Sequence, residues 1–430
     1  YSTINQAAHA NRRAIGKLTR FCLPGAFIGP ETVETTLHPK GLLPMLEKAK
    51  AIQGDIVHWR RTIHKNPELG FEEFQTSKLI AETLASFGIK VQSVARTGVM
   101  GILGEGKPGI GLRADMDALP LQEANQTEYA SQVPNKMHAC GHDTHVAMLL
   151  GAAKILSEMP DRPQGQIRFL FQPSEERWDE TGMSGGKLMA QEGLVDDLDH
   201  VFAIHINSLI PAGQLTAGTG YVMAAPDQFD ATITGKGTHG AYPHMGNDPI
   251  FALAQVINVI HGIRARRINP LKPSVISIGA VHSGDANNII PNSVFLNGTI
   301  RSYDEDIRTQ LHEELTRAFD VAKALGCQVD LRIERGYPAT YNDPAFTPLV
   351  EAAAKKIMGE NCLYPFEPSM GGEDFSYLSN QKPGTLVWLG ARLPGEGRPH
   401  HNPLFDVDEN ALPLGAALYA QVAVDTLSQK

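Results

Sequence analysis

Between Tyr221 and Pro338 the hydrophobic pattern of the chain changes and then changes back, and this interruption limits the possible folds more than any other feature. "DQFDATITGKG" alternates as a half-exposed strand does, and "DPIFALAQVINVIHGIRARR" carries the apolar stripe of an amphipathic helix. Two strands ("SVISIGAVHSG" and "SVFLNGTIRSY"), a long helix ("DEDIRTQLHEELTRAFDVAKALG") and a last strand ("CQVDLRIERGYP") complete the order β-α-β-β-α-β. That order over about 115 residues predicts a compact ferredoxin-like sandwich.

On either side of it, strands alternate with helices. Residues 42–87 read as helix in two pieces, broken at Asn66-Pro67. "VMGILG" and "GIGLRADMDALPL" read as strands, and a helix begins near Asp143, which could serve as its cap. "QIRFLFQPSEE" is a strand ending in polar residues, "GGKLMAQEGLV" a helix and "DHVFAIHI" another strand. This alternation predicts a mostly parallel sheet covered on both faces. The expected fold is α/β: residues 41–221 and 337–430 form one domain in two parts, and 222–336 form the smaller inserted domain. Residues 1–40 are an extension of unknown role.

Bulk composition excludes several classes. A chain of 430 residues with 42 % apolar and 20 % charged residues buries more than one ordinary core. A net charge of −9 argues against nucleic acid or an anionic membrane surface as partner. No apolar run is long enough to span a bilayer. Four scattered cysteines, Cys22, Cys140, Cys327 and Cys362, suit a reducing, cytoplasmic setting. The extension carries Arg12, Arg13, Lys17 and Arg20 before its first acid, Glu31, which leaves an organelle presequence open.

Three clusters of chemically active residues fall at expected strand ends, where open α/β sheets gather ligands. Cys140 and His142 follow the "GLRADMDALP" strand, in a stretch that also holds His138 and His145. Glu175 and Glu176 end another strand, and His205 ends a third. Singly, each has a plainer reading: a buried thiol, surface acids, a core histidine. Adjacent carboxylates past a buried strand are costly unless a cation offsets them. Together the clusters favour a metal site, with zinc first and manganese, cobalt or nickel after it. Two other motifs are discounted. Gly182–Gly186 fits G-x-S-x-G without the buried strand that a nucleophile elbow needs. Gly235–Gly240 fits G-x-G-x-x-G, but no helix opens there, which disfavours a dinucleotide oxidoreductase.

The motifs "RRTIHKNPELGFEE", "MHACGHDTHVAMLLGAA", "FQPSEE", "AIH", "GKGTHGAYPH", "NNIIPNSVFLNGTIRSYDE", "MGGEDFSYL" and "HHNPLFDVDENAL" occur in the order of the metal-dependent aminoacylase and carboxypeptidase superfamily. The chain most resembles its hippurate hydrolase and auxin-conjugate amidohydrolase branch, over residues 42–426. The resemblance implies a zinc-exopeptidase-like catalytic domain with an inserted dimerisation domain, two divalent metals per subunit, and a homodimer or dimer of dimers. It implies metal ligands Cys140, His142, Glu176, His205 and His401, with Cys140 bridging the metals and His401 chosen because it directly precedes Asn402-Pro403. Glu175 becomes the general base and acid. Asp117 matches the acid that orients a metal-bound histidine in related branches, whose first ligand histidine is replaced here by Asp115. His239 supplies an oxyanion donor, reaching across a two-fold interface into the partner's site. Arg301, Asn288, Gly371 and Gly372 match positions that hold the substrate's carboxylate. The implied reaction is cleavage of N-acyl-L-amino acids, with a dipeptidase or carboxypeptidase of the same superfamily as the alternative.

Overall fold

The computed structural model describes residues 45–395 and 397–429, so residues 1–40 and Cys22 lie outside the described residues. The chain opens with helices α1 (Met45–Ala51), α2 (Gln53–Lys65) and α3 (Phe74–Ser86). The expected two helical pieces are thus three, because the chain also breaks at Ile52. Strands β1 (Lys90–Val94), β2 (Gly98–Glu105) and β3 (Gly109–Asp115) follow, then α4 (His142–Ser157), β4 (Gly165–Gln172), α5 (Gly185–Gln191) and β5 (His200–Pro211). Short strands β6 (Leu215–Thr216) and β7 (Gly220–Met223) lead to the segment β8 (Ala225–Thr234), β9 (Thr238–His239), α6 (Pro249–Arg266), β10 (Ser274–His282), β11 (Ile289–Ile290), β12 (Ser293–Ser302), α7 (Glu305–Ala324) and β13 (Gln328–Glu334). The chain closes with β14 (Thr340–Asn342), α8 (Thr347–Met358), α9 (Ser376–Ser379), β15 (Gly384–Arg392) and α10 (Leu412–Leu427).

The large sheet runs β1-β2-β4-β3-β5-β15-β6. Its central strands β4, β3, β5 and β15 are parallel, and the outer strands are antiparallel. The parallel strands are apolar on both faces; β3 is buried at every position, as a strand covered by helices on both sides must be. Helix α4 is apolar almost all round and buried along nearly its whole length, which marks a central helix rather than a surface one. Helices α2 and α10 close over it at Gly151, where an added Cβ would meet Ile56 and Ala416 at 2.9 and 3.0 Å.

The smaller sheet has the order β10-β12-β8-β13, fully antiparallel, with α6 and α7 packed on it. With the chain order β8-α6-β10-β12-α7-β13, this is the ferredoxin-like arrangement. Both helices start as the sequence suggests: Asp248 caps α6 and Asp304 caps α7, each carboxylate accepting two backbone N–H bonds. Asp143 differs. It lies inside the first turn of α4, and the cap position belongs to Gly141 at φ 90°. A Cβ there would fall 2.4 Å from Ile206, so the turn needs glycine for conformation and for space. Asp143 is instead buried, accepting from Arg60 Nε at 2.8 Å and paired with His64 Nδ1 at 2.7 Å. Among the described residues no helix is long and apolar enough to cross a membrane.

Candidate metal centre

Three sheet-borne segments converge on one cleft. The 26-residue loop from β3 to α4 returns Cys140 and His142 over the sheet, the loop after β4 brings Glu175 and Glu176, and β5 brings His205. His205 is not at the strand end expected from the sequence, because β5 continues to Pro211. It lies just past Ala203, the last β5 residue paired with β3, so β3 no longer flanks it.

The donor atoms of Cys140, His142 and His205 all lie within 4.8 Å of one another, and so do those of Cys140, Glu176 and His401. The two triads share Cys140. His142 and His205 each have one nitrogen committed behind them. His142 Nδ1 is 3.1 Å from Asp117 Oδ1, and His205 Nδ1 is 2.7 Å from the Ile206 carbonyl oxygen. The outer nitrogens therefore face the cleft, the usual arrangement behind metal-binding histidines. His142 Nε2 and Glu176 Oε1 are buried without a hydrogen-bond partner. Glu176 Oε1 is 3.1 Å from His401 Nε2 but out of line for a hydrogen bond. Buried polar atoms are nearly always satisfied, and orphans facing each other across thiol, imidazole and carboxylate donors fit a divalent cation.

The electrostatics agree. Burial alone would lower the pKa of His142, but Asp115, Asp117 and Glu176 outweigh it and raise it to about 10. Burial and the nearby Glu176 and Glu175 push the Cys140 thiol well up. Burial, then Glu373 and Glu176, hold the Glu175 carboxyl above its ordinary range. Carboxylates dominate the surroundings of these donor atoms.

His145, from the same stretch as Cys140 and His142, has a structural place. Its Nε2 accepts from Ile206 N at 2.8 Å, so Nδ1 carries the proton and meets Asp115 Oδ1 at 2.5 Å. Both nitrogens are used, and His145 joins β3, α4 and β5 instead of facing a metal. Asp117 also stays behind the cleft, where its second oxygen accepts from Glu176 N at 3.0 Å. It touches His142 and the acid-bearing loop, the contacts of a positioning residue. The other carboxylates near Glu175 have their own cation: Arg113, wholly buried, donates to Gln172, Asp115, Glu373 and Asp374. Neither Arg113 nor Glu373 stands out in the sequence, since an arginine inside a strand reads as surface.

The cleft has a volume of about 450 Å³, and Arg301, Gly371 and Gly372 line it together with Cys140, Glu175 and His401. Arg301 is half buried, and burial draws its pKa down against the opposing pull of Asp227. His239 and Asn288 do not line it. They lie side by side on the small β9–β11 ladder, where Gly240 N donates to the Asn288 carbonyl at 2.7 Å. The two discounted glycine motifs have structural roles. Ser184 caps α5, and Gly235–Gly240 runs through β9 with no helix opening there.

The model of peptidase family M20/M25/M40 matches residues 111–425. The chain belongs to this family. It is accordingly a hydrolase acting on amide bonds. Thermostable carboxypeptidase 2 of Saccharolobus solfataricus is 43% identical over 383 residues, covering 87% of this chain and 96% of that protein. IAA-amino acid hydrolase ILR1-like 2 of Arabidopsis thaliana is 37% identical over 423 residues, covering 96% and 94%. Among solved structures, the YXEP protein of Bacillus subtilis, a dinuclear metal-binding peptidase from the M20 family, is 32% identical with a TM-score of 0.76, covering 88% of this chain and 99% of its own. M20 membership and the two donor triads together indicate two divalent metals.

Proposed function

We propose that this M20 chain cleaves the amide bond of N-acyl-L-amino acids, releasing a carboxylic acid and a free amino acid. The observation that carries the reading is the pair of donor triads sharing Cys140, set beside Glu175 in a cleft that also holds Arg301. Cys140, His142, Glu176, His205 and His401 would hold two divalent ions, with Cys140 common to both. Thiol, imidazole and carboxylate donors suit zinc first, then manganese, cobalt or nickel. When bound, the ions supply a water of lowered pKa and polarise the scissile carbonyl.

The chain's own residues do the rest. Glu175, kept in a dry and anionic setting, removes a proton from the attacking water and later returns it to the leaving amine. Asp117 fixes the His142 ring and the Glu176 backbone. Arg301 grips the substrate carboxylate, with the backbone at Gly371-Gly372 beside it. In this reading residues 41–221 and 337–430 are the catalytic domain and 222–336 the insert.

The insert would also build a dimer. Tyr242, Met245, Ile250 and Phe251 are 46 to 61% exposed on one side of it, and such apolar clusters mark association surfaces. His239 and Asn288 lie next to this patch and outside their own chain's cleft, so they would serve the site of a second copy: His239 as oxyanion donor, Asn288 at the carboxylate.

A second reading is favoured by the carboxypeptidase relatives. Both reactions release an amino acid whose free carboxylate Arg301 would hold, so they differ only on the acyl side. Rates on benzoylglycine and on glycyl peptides test this. Faster cleavage of benzoylglycine supports the N-acyl reading, faster cleavage of the peptides supports the second, and inactivity on both refutes the family chemistry proposed.

A further inference from the structure

The insert leaves and rejoins the catalytic part through two chain crossings, near Pro226 and near Gly336, and these touch backbone to backbone. A Cβ on Gly336 would lie 2.0 Å from the Pro226 carbonyl oxygen. Asp227 locks them together: its Oδ1 accepts from Gly336 N at 2.9 Å, while Arg308 donates Nε to Oδ2 at 2.9 Å and Nη2 to the Gly336 carbonyl at 3.0 Å. His312 Nε2 adds a contact to Oδ2 at 2.6 Å.

Each crossing also reaches one functional group. On the outgoing side, the Asp227 carbonyl accepts from Arg301 Nη1 at 3.3 Å. On the returning side, the residue after Gly336 is Tyr337, buried, whose hydroxyl donates to the backbone carbonyl of Glu175 at 2.5 Å. Trp178, three residues past Glu175, donates its indole N–H to Glu334 at 3.1 Å and packs edge-on against Tyr337. Glu175 sits on a loop under local constraint, since Ser174 before it has φ 46° and is held by Glu73 at 2.9 Å. Other contacts to this loop come from Glu73, the residue before α3, and from Asp117, two residues past β3. Among the described residues, Tyr337, the first residue past the insert, and Trp178, through Glu334 of the insert, hydrogen-bond this loop to the returning crossing.

We propose that Tyr337 is a positioning residue that couples the carboxylate held by Arg301 to the placement of Glu175, through the Asp227–Gly336 lock. The inference rests on the reading of Glu175 as base and Arg301 as anchor. It implies that a free substrate carboxylate raises kcat as well as lowering KM, because remote binding energy is used to align the base.

The test compares benzoylglycine with benzoylglycinamide, which lacks the charge, in wild type, Tyr337→Phe, Arg301→Gln and the double variant, with metal content measured on each sample. Wild type should show a higher kcat on the acid than on the amide. Tyr337→Phe should lower that kcat ratio about tenfold, the effect of one lost hydrogen bond, without changing the KM ratio or the metal content. The double variant should have the kcat ratio of Arg301→Gln alone. Arg308→Lys, which loses the fork on Asp227, should shift the ratio in the same direction, so the test survives if Tyr337→Phe folds poorly. An unchanged kcat ratio in Tyr337→Phe and Arg308→Lys, or additive effects in the double variant, overturns the coupling. Failure of the underlying reading is visible separately, as an Arg301→Gln variant whose KM for the acid does not rise.

Discussion

Two buried acidic nodes in this chain differ in where their positive charge comes from. At the crossings, Asp227 is surrounded by its own cations and donors: Arg308, His312 and the Gly336 N–H. Burial would raise its pKa, but the hydrogen bonds from Arg308 and His312 win, and it lies well below the ordinary range. In the cleft, Glu175, Glu176 and Cys140 crowd together, and among the described residues no arginine or lysine hydrogen-bonds to their side chains; the Glu175 carboxyl and Cys140 thiol are pushed up. The fold thus completes the charge of a structural node internally and leaves that of the functional node open, for a cation that arrives from outside.

The largest expected effect breaks the functional node alone. Glu175→Gln keeps the shape and removes the proposed base, so kcat should fall by about 10²–10⁴ with metal content and unfolding midpoint unchanged. Loss within a few-fold would pass the role of base to Glu176. If the dimer forms as proposed, mixing this variant with His239→Ala should return about a quarter of wild-type activity once subunits exchange, because half the dimers are mixed and each has one intact site. No recovery despite proven exchange would remove His239 from the partner's site.

Breaking the structural node should cost stability instead. Asp227→Asn leaves Arg308 buried without its carboxylate, which typically costs about 3–5 kcal/mol, measurable by denaturant unfolding. Because the folded pKa of Asp227 is depressed, its stabilisation is present above the unfolded value near 4 and is lost as the pH falls through the folded one. The gap between wild type and variant should therefore hold at neutral pH and shrink below about pH 4. A gap that grows on acidification would contradict the pairing.

Glu73, beside the base-bearing loop, sharpens the contrast with a smaller effect. It is buried, and burial followed by Asp117 raises its pKa to about 7 despite hydrogen bonds from Thr97 and Ser174. An acid with a raised folded pKa favours folding only while protonated, so stability should fall as the pH rises from about 4.5 to 7. Glu73→Gln should remove that slope, a change of about 3 kcal/mol between the two curves over this interval. Parallel curves would show that Glu73 is ionised throughout.

Much of this was legible in the sequence, because local pattern and tertiary need agree over most of the chain. The β-α-β-β-α-β order of the insert is set by turn residues and periodicity within each element. Cys140, His142 and Glu176 are singled out by falling together at expected strand ends, since each alone has a plainer reading. Three things were not legible. Asp143 looks like a helix cap, and only the packing of α2 against α4 shows that Arg60 and His64 hold it inside the first turn. His145 sits among candidate ligands in the sequence, and only the approach of Ile206 N shows that its second nitrogen is taken. Arg113, Glu373 and Tyr337 look like ordinary strand and loop residues, and their roles come from partners more than 150 positions away.

On the proposed reading, the open charge in the cleft belongs to two catalytic divalent ions. Elemental analysis and benzoylglycine hydrolysis should be measured on the same samples: as purified, after strong chelation and dialysis, and after adding back zinc, manganese or cobalt. Two ions per chain should be lost and regained together with activity, and Cys140→Ser, which exchanges a soft thiolate for a poorer hydroxyl ligand, should weaken retention of both. Full hydrolytic activity in a sample shown to be metal-free would contradict the claim.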